Sequence, residues 1–149
     1  MRFKVAAIAI AAMWAVGVSQ SSVRAEQAAA PTGAKTVWDG VFTEEQAKRG
    51  EATFMKECSS CHGNDLAGDG FAPALAGSDF ISNWNELSVG DLFDRIRISM
   101  PPNGPSGVTP AAKADIVAHI MNSNKWPAGK TELEPKTEVL KQIKIEMKK

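Results

Sequence analysis

Cys58-Ser59-Ser60-Cys61-His62 is the stretch of this 149-residue chain on which its reading turns. Two thiols three positions apart, near a helix end, lie on one side of the backbone. An imidazole directly follows the second thiol and stands four positions after the first. Paired thiols serve several chemistries. A structural disulfide or a thioredoxin-like redox pair uses the sulfurs alone. The thioredoxin-like arrangement sits in an alternating strand–helix pattern, and the flanking residues show none. A zinc site needs a second pair of ligands, and outside the stretch only His119 offers itself strongly.

Attachment of a c-type haem uses all three side chains and is the reading favoured over those rivals. Each thiol of Cys58 and Cys61 can add to one vinyl group of a single porphyrin. The covalent bonds then carry the imidazole of His62 under the iron. A sixth ligand is needed, and Met100 is the best placed. It ends a helical stretch and precedes Pro101-Pro102, and a residue before proline is pushed out of helical geometry. Met55 is too close to Cys58 to reach the far face, Met121 falls in a packing stripe, and Met147 lies in the tail. His119 is a second candidate ligand, although it falls on a helix that packs. A ligating imidazole usually donates its other N–H to a fixed acceptor. The carbonyl of Pro73, in the stiffened Gly70–Leu75 loop, is the expected one. The Trp84 indole, Arg95 and Arg97 are candidates to meet haem propionates. Phe71, Leu75, Leu92, Phe93, Ile96 and Ile120 are candidates for its apolar shell.

Farther out, the N-terminus has three parts. Arg2 and Lys4 precede an apolar run from Val5 to Val18, and Val23-Arg24-Ala25 follows. This reads as an export leader, 1–25, with cleavage after Ala25. The run is short for a spanning helix, which needs roughly 20 residues. Residues 26–42 read as an extension. Thr43 opens a capping box with Gln46 and a helix over about 44–57, with Gly50 inside it for a close helix approach. Residues 63–80 read as loop-rich, with Gly63, Gly68, Gly70, Pro73 and Gly77. Ser88 caps a helix at 89–98, and Thr109-Pro110 starts another at about 110–123. The tail 131–149 fits either a helix or a strand. Lys plus Arg equals Asp plus Glu at 17 each, so no basic excess points to nucleic acid. Residues 26–129 hold 8 basic and 13 acidic side chains, whereas 130–149 hold 6 Lys and 4 Glu. With 44% hydrophobic and 23% charged residues and two cysteines, the chain is neither collagen, coiled coil, disulfide scaffold nor multi-span membrane protein.

These pieces resemble the class I c-type cytochromes. The likeness rests on the capped helix with Gly50 and Phe54, the Cys58–His62 motif, and Ala72-Pro73-Ala74-Leu75. It continues through Trp84, Met100-Pro101-Pro102 and Ala114-Asp115-Ile116-Val117-Ala118. The resemblance implies an all-α, cytochrome c-like fold: three main helices and long loops around one covalently attached haem c, over residues 43–125. It implies His62 and Met100 as iron ligands, Pro73 as the acceptor for His62, and crossing of the first and last helices at Gly50. His119 departs from the pattern, which often has an aromatic there. Val37-Trp38-Asp39-Gly40-Val41-Phe42-Thr43, with Pro127-Ala128-Gly129 and Glu132-Leu133, is similar to small cytochromes that accompany quinoprotein dehydrogenases. The expected function is a periplasmic one-electron carrier, not an enzyme, cycling Fe(II)/Fe(III) without a stable membrane span. Its expected partners are a dehydrogenase donor and an oxidase or other cytochrome acceptor. The alternatives are a dedicated subunit of a dehydrogenase complex, or a haem enzyme or gas sensor with a labile sixth site. Residues 126–149 then either pack on the domain or dock a partner.

Overall fold

The computed structural model describes residues 35–147, so the leader and the first part of the 26–42 extension lie outside the described residues. The order is β1 (Lys35–Thr36), α1 (Glu44–Glu57), α2 (Ser59–His62), α3 (Ser78–Trp84) and α4 (Val89–Ser99). A single 3-10 turn (Pro105–Gly107), α5 (Pro110–Ser123), α6 (Thr137–Leu140) and β2 (Ile143–Lys144) follow. The described chain is all-α apart from the short parallel pair of β1 and β2, in which Lys35 faces Ile143. Among the described residues no helix is long and apolar enough to cross a membrane.

The three long helices begin where side-chain oxygens can take up orphan N–H groups. Thr43 accepts from the Gln46 N–H at 3.1 Å, Ser88 from the Asp91 N–H at 3.1 Å, and Thr109 from the Ala112 N–H at 3.2 Å. The Ser88–Asp91 pair is a full capping box. The expected box at Thr43 is only half made. Gln46 turns instead to the C-terminal segment, where its amide donates to the Leu133 carbonyl at 3.0 Å and accepts from the Leu133 N–H at 2.8 Å. That two-bond clasp is buried, so it satisfies polar groups that the reciprocal cap would have left to water.

Two further expectations change. The loop-rich stretch 63–80 ends before Ser78, where α3 starts. This helix has no side-chain cap, its N-cap position is Gly77, and it buries one residue, Phe80. The tail is neither one helix nor one strand. A single helical turn buries Leu140, and β2 then buries Ile143.

α1 and α5 form the main helix pair, and Gly50 sets how close they come. A Cβ on Gly50 would stand 1.8 Å from the carbonyl oxygen of Asp115 on α5. One turn on, Phe54 meets His119 with ring centroids 5.2 Å apart. The crossing is thus aromatic against imidazole. The His119 Nε2 is buried without a hydrogen-bond partner among the described residues. Burial holds this imidazole below its ordinary value of 6.5, and Glu51 opposes the shift more weakly. Arg49 bridges the same two helices and the tail, pairing with Asp115 at 3.1 Å and Glu132 at 2.9 Å.

The C-terminal segment lies along the helices. Trp38 donates from its indole to the Glu146 carbonyl at 2.9 Å, and Ile145 exchanges bonds with residues 86 and 87. Gly40, at φ +62, lies against Gly129, where a Cβ would stand 1.9 Å from the Gly40 carbonyl oxygen. Residues 37–42 and 127–129 are therefore in direct contact.

Gly50→Ala is expected to destabilise the fold by about 1–3 kcal/mol, since backbone rather than a movable side chain fills the space. Denaturant unfolding at fixed m-value checks this. His119 gives a pH prediction. Below about 6.5 the unfolded imidazole gains a proton that the folded one refuses. Stability therefore falls with acidification from that point, and the slope ends once the lowered folded value is passed. His119→Phe should remove that part of the slope, measured by unfolding at a series of pH values.

Candidate functional site

Cys58 closes α1, its N–H bonded to the Phe54 carbonyl at 2.8 Å. α2 then carries Cys61 and His62 through one further turn, with the N–H of each bonded to the Cys58 carbonyl at 3.2 and 3.0 Å. The motif is thus a helical turn hung on the end of α1. Gly63, at φ +75, lets the chain leave it. Both cysteines are free, Cys58 half-buried and Cys61 exposed. Desolvation, aided by the Glu57 carboxylate, pushes the Cys58 thiol up to about 11.

His62 is 8% exposed, and its Nδ1 lies 2.9 Å from the carbonyl oxygen of Pro73. That contact makes Nδ1 the donor and leaves Nε2 as the nitrogen with a lone pair. The loop bringing Pro73 there is pinned at several points. Gly68 donates to the His62 carbonyl at 2.9 Å and Leu75 to the Leu66 carbonyl at 2.8 Å. Asp69 accepts from the N–H groups of Ala72 at 2.8 Å and Phe71 at 2.9 Å, and these bonds hold its carboxyl below the usual range. Asn124, at the end of α5, donates to the Leu75 carbonyl at 3.0 Å and accepts from the Gly77 N–H at 3.0 Å.

Met100 is extended at the end of α4, its N–H bonded to the Ile96 carbonyl at 3.1 Å, and it is partly buried against the core, as are Cys58, Leu75 and Trp84. Trp84 ends α3 with its ring 6.0 Å from that of Phe80. Leu92, Phe93, Ile96 and Ile120 are buried and Leu75 is half-buried, whereas Phe71 is fully exposed and forms no part of a packed shell. Arg97 pairs with Asp94 at 2.9 Å, and Asp94 also accepts from Thr137 at 2.7 Å, so its guanidinium is engaged on the helix surface.

Two positioning side chains were not expected. Asn124 has no motif to announce it. Lys113 does carry a signal, because it shares the i, i+3, i+4, i+7 face of Ile116, Val117 and Ile120. It is 2% exposed, with its ammonium on two backbone carbonyls, Arg97 at 3.1 Å and Pro105 at 2.5 Å.

Two free thiols, an imidazole bonded through one nitrogen only, and a thioether on a stiff segment form a donor set that fits a covalently attached haem. Residues 45–120 match the family model described as cytochrome c oxidase, cbb3-type, subunit III. No curated protein and no solved structure matches the chain significantly. The matched span covers half the sequence, runs from the start of α1 to the end of the α5 core and contains the whole Cys58–His62 motif.

Asp69→Ala should free the loop and speed exchange of the His62 Nδ1 proton, read by nitrogen-15 NMR. The carboxyl is held low in the fold, so its contribution is complete above its ordinary 3.8 and disappears as pH falls through the lowered value. Parent and variant should therefore converge in strong acid.

Proposed function

We propose that this chain, which belongs to that family of c-type cytochrome domains, is an exported, periplasmic, monohaem one-electron carrier with His62 and Met100 as its iron ligands. When bound, the haem supplies an Fe(II)/Fe(III) couple. The chain supplies attachment, ligation and exclusion of water. Cys58 and Cys61 hold the group through their sulfurs. His62 would ligate through Nε2, while the Pro73 carbonyl fixes the ring plane and raises the basicity of the imidazole. Met100 offers a soft thioether that favours Fe(II) and raises the potential. Leu92, Phe93, Ile96 and Ile120 keep water out, and Trp84 offers its indole N–H to a propionate.

The observation that carries this reading is the 2.9 Å contact of His62 Nδ1 with Pro73. It commits one ring nitrogen as a donor and leaves the other available as a ligand, directly after the two thiols. If His62 and Met100 would both hold a bound haem iron, no ligand position would be left for a substrate, which supports passing electrons over transforming a substrate.

A second reading makes the chain a subunit of a larger redox complex. The family description, which names an oxidase subunit, supports this in general terms. The likeness of the Trp38 and Pro127–Gly129 stretches to cytochromes beside quinoprotein dehydrogenases supports a dehydrogenase donor. Stable co-purification with such an enzyme distinguishes the subunit from a free carrier.

The protein isolated from its exporting host should be heavier than its amino acids by one haem and show reduced-minus-oxidised haem c bands. In the reduced state it should not bind CO at neutral pH. Met100→Ala should bind CO, lose the sulfur-to-iron charge-transfer absorption and have a lower potential. A variant with the parent's spectrum and potential removes Met100 from the ligand set.

A further inference from the structure

Met100 begins a segment that has little to hold it. Residues 101–107 are exposed or half-buried and include three prolines and two glycines. Their own hydrogen bonds are local turns, Gly104 N–H to the Pro101 carbonyl at 3.1 Å and Gly107 N–H to the Gly104 carbonyl at 3.0 Å. Val108 is the one buried residue among 101–108. Among the described residues, a single hydrogen bond enters 101–108 from outside, and it comes from the Lys113 ammonium to the Pro105 carbonyl.

The same ammonium reaches the Arg97 carbonyl. That oxygen belongs to the last turn of α4, whose carbonyls have no partner within the helix. A cation there meets both an orphan acceptor and the negative end of the helix. Lys113 is thus one charged donor shared between the helix that ends at Met100 and the turn five residues beyond it. Met100 lies between the two anchored points. A surface lysine would keep its head group in water. Burying this one is costly, and its placement is explained by what it joins.

We propose that Lys113 is a positioning residue for the sixth iron ligand: its buried ammonium bridges the Arg97 and Pro105 carbonyls and thereby fixes the segment that presents Met100. The proposal rests on the reading of Met100 as ligand. Charge-assisted bonds to neutral carbonyls are stronger than ordinary ones. Their removal leaves two acceptors unsatisfied at a nearly buried site. Arginine can span the same two carbonyls; methionine has the length and apolar stem of lysine but no donor.

The test uses the full-length, haem-loaded protein and compares the parent with Met100→Ala, Lys113→Met and Lys113→Arg. The parent should show the sulfur-to-iron charge-transfer absorption, and Met100→Ala should lack it. Lys113→Met should keep one covalent haem and the parent's helix content but lose most of that absorption and bind CO when reduced. Lys113→Arg should restore the absorption and exclude CO. If Lys113→Met keeps the absorption and excludes CO, the proposal is overturned while Met100 stays the ligand. If the parent itself lacks the absorption and Met100→Ala changes nothing, the ligand reading fails and the proposal falls with it. Should Lys113→Met not fold, Lys113→Gln, which loses the charge and shortens the reach, is read in the same way. A weakened absorption supports the bridge and an intact one overturns it.

Discussion

The backbone of α1 lies against the backbone of α5 because Gly50 has no side chain. With a carbonyl oxygen of α5 where a Cβ would be, the two helices lock at one depth and register. The attachment turn is hung on the end of α1 through the Phe54–Cys58 bond. α5 carries Lys113 at its start and Asn124 at its end. The helix pair therefore fixes the distance between the thiols, the Pro73 loop and the Met100 segment. No single contact in the loops could do this, since each loop is held mainly by its own turns.

Around that frame, the two sides of the candidate site are built differently. The His62 side has several interlocking bonds. Gly68 holds the His62 carbonyl, Asp69 gathers two N–H groups, Pro73 meets the ring, and Asn124 ties the loop to α5. The Met100 side depends on a stiff extended segment and one lysine. Such asymmetry fits the proposed site, in which one ligand would be carried by covalent bonds and the other would have to be brought to it.

Much of this was legible in the sequence, and the reasons differ by element. Thr43, Ser88 and Thr109 announce their helices through local chemistry, with oxygen at the cap and N–H three residues on. The boundaries accordingly fall within a residue of the expectation. The Cys58–His62 motif needs no tertiary information, because all its groups lie within one helical turn. Pro73 was expected through its ring stiffness and lies against His62. What escaped was set by distant partners. Gln46 leaves its own helix cap for Leu133, 87 positions away. α3 has one buried residue and a glycine at its cap position, so neither periodicity nor capping marks it. Phe71, a candidate for the apolar shell of the haem, follows the turn around Asp69 and is fully exposed. The tail alternates like a strand at Ile143 and Ile145 because it adds to residues more than fifty positions earlier, a partnership invisible to a local window.

The last of these features bears on how the molecule comes together. Segment 143–147 is laced between residues 35–38 and residues 85–88, and the Trp38–Glu146 bond closes a separation of 108 residues. Closing so long a loop is entropically unfavourable until both anchoring surfaces exist. The helices can form first from near-neighbour contacts, and the lacing then draws the distant ends over them. Leu140, Ile143 and Ile145 are themselves buried in the core cluster, so the lacing is fastened by apolar burial as well as by backbone bonds. The chain thus carries a girdle that cinches its two distant ends onto the core they cover.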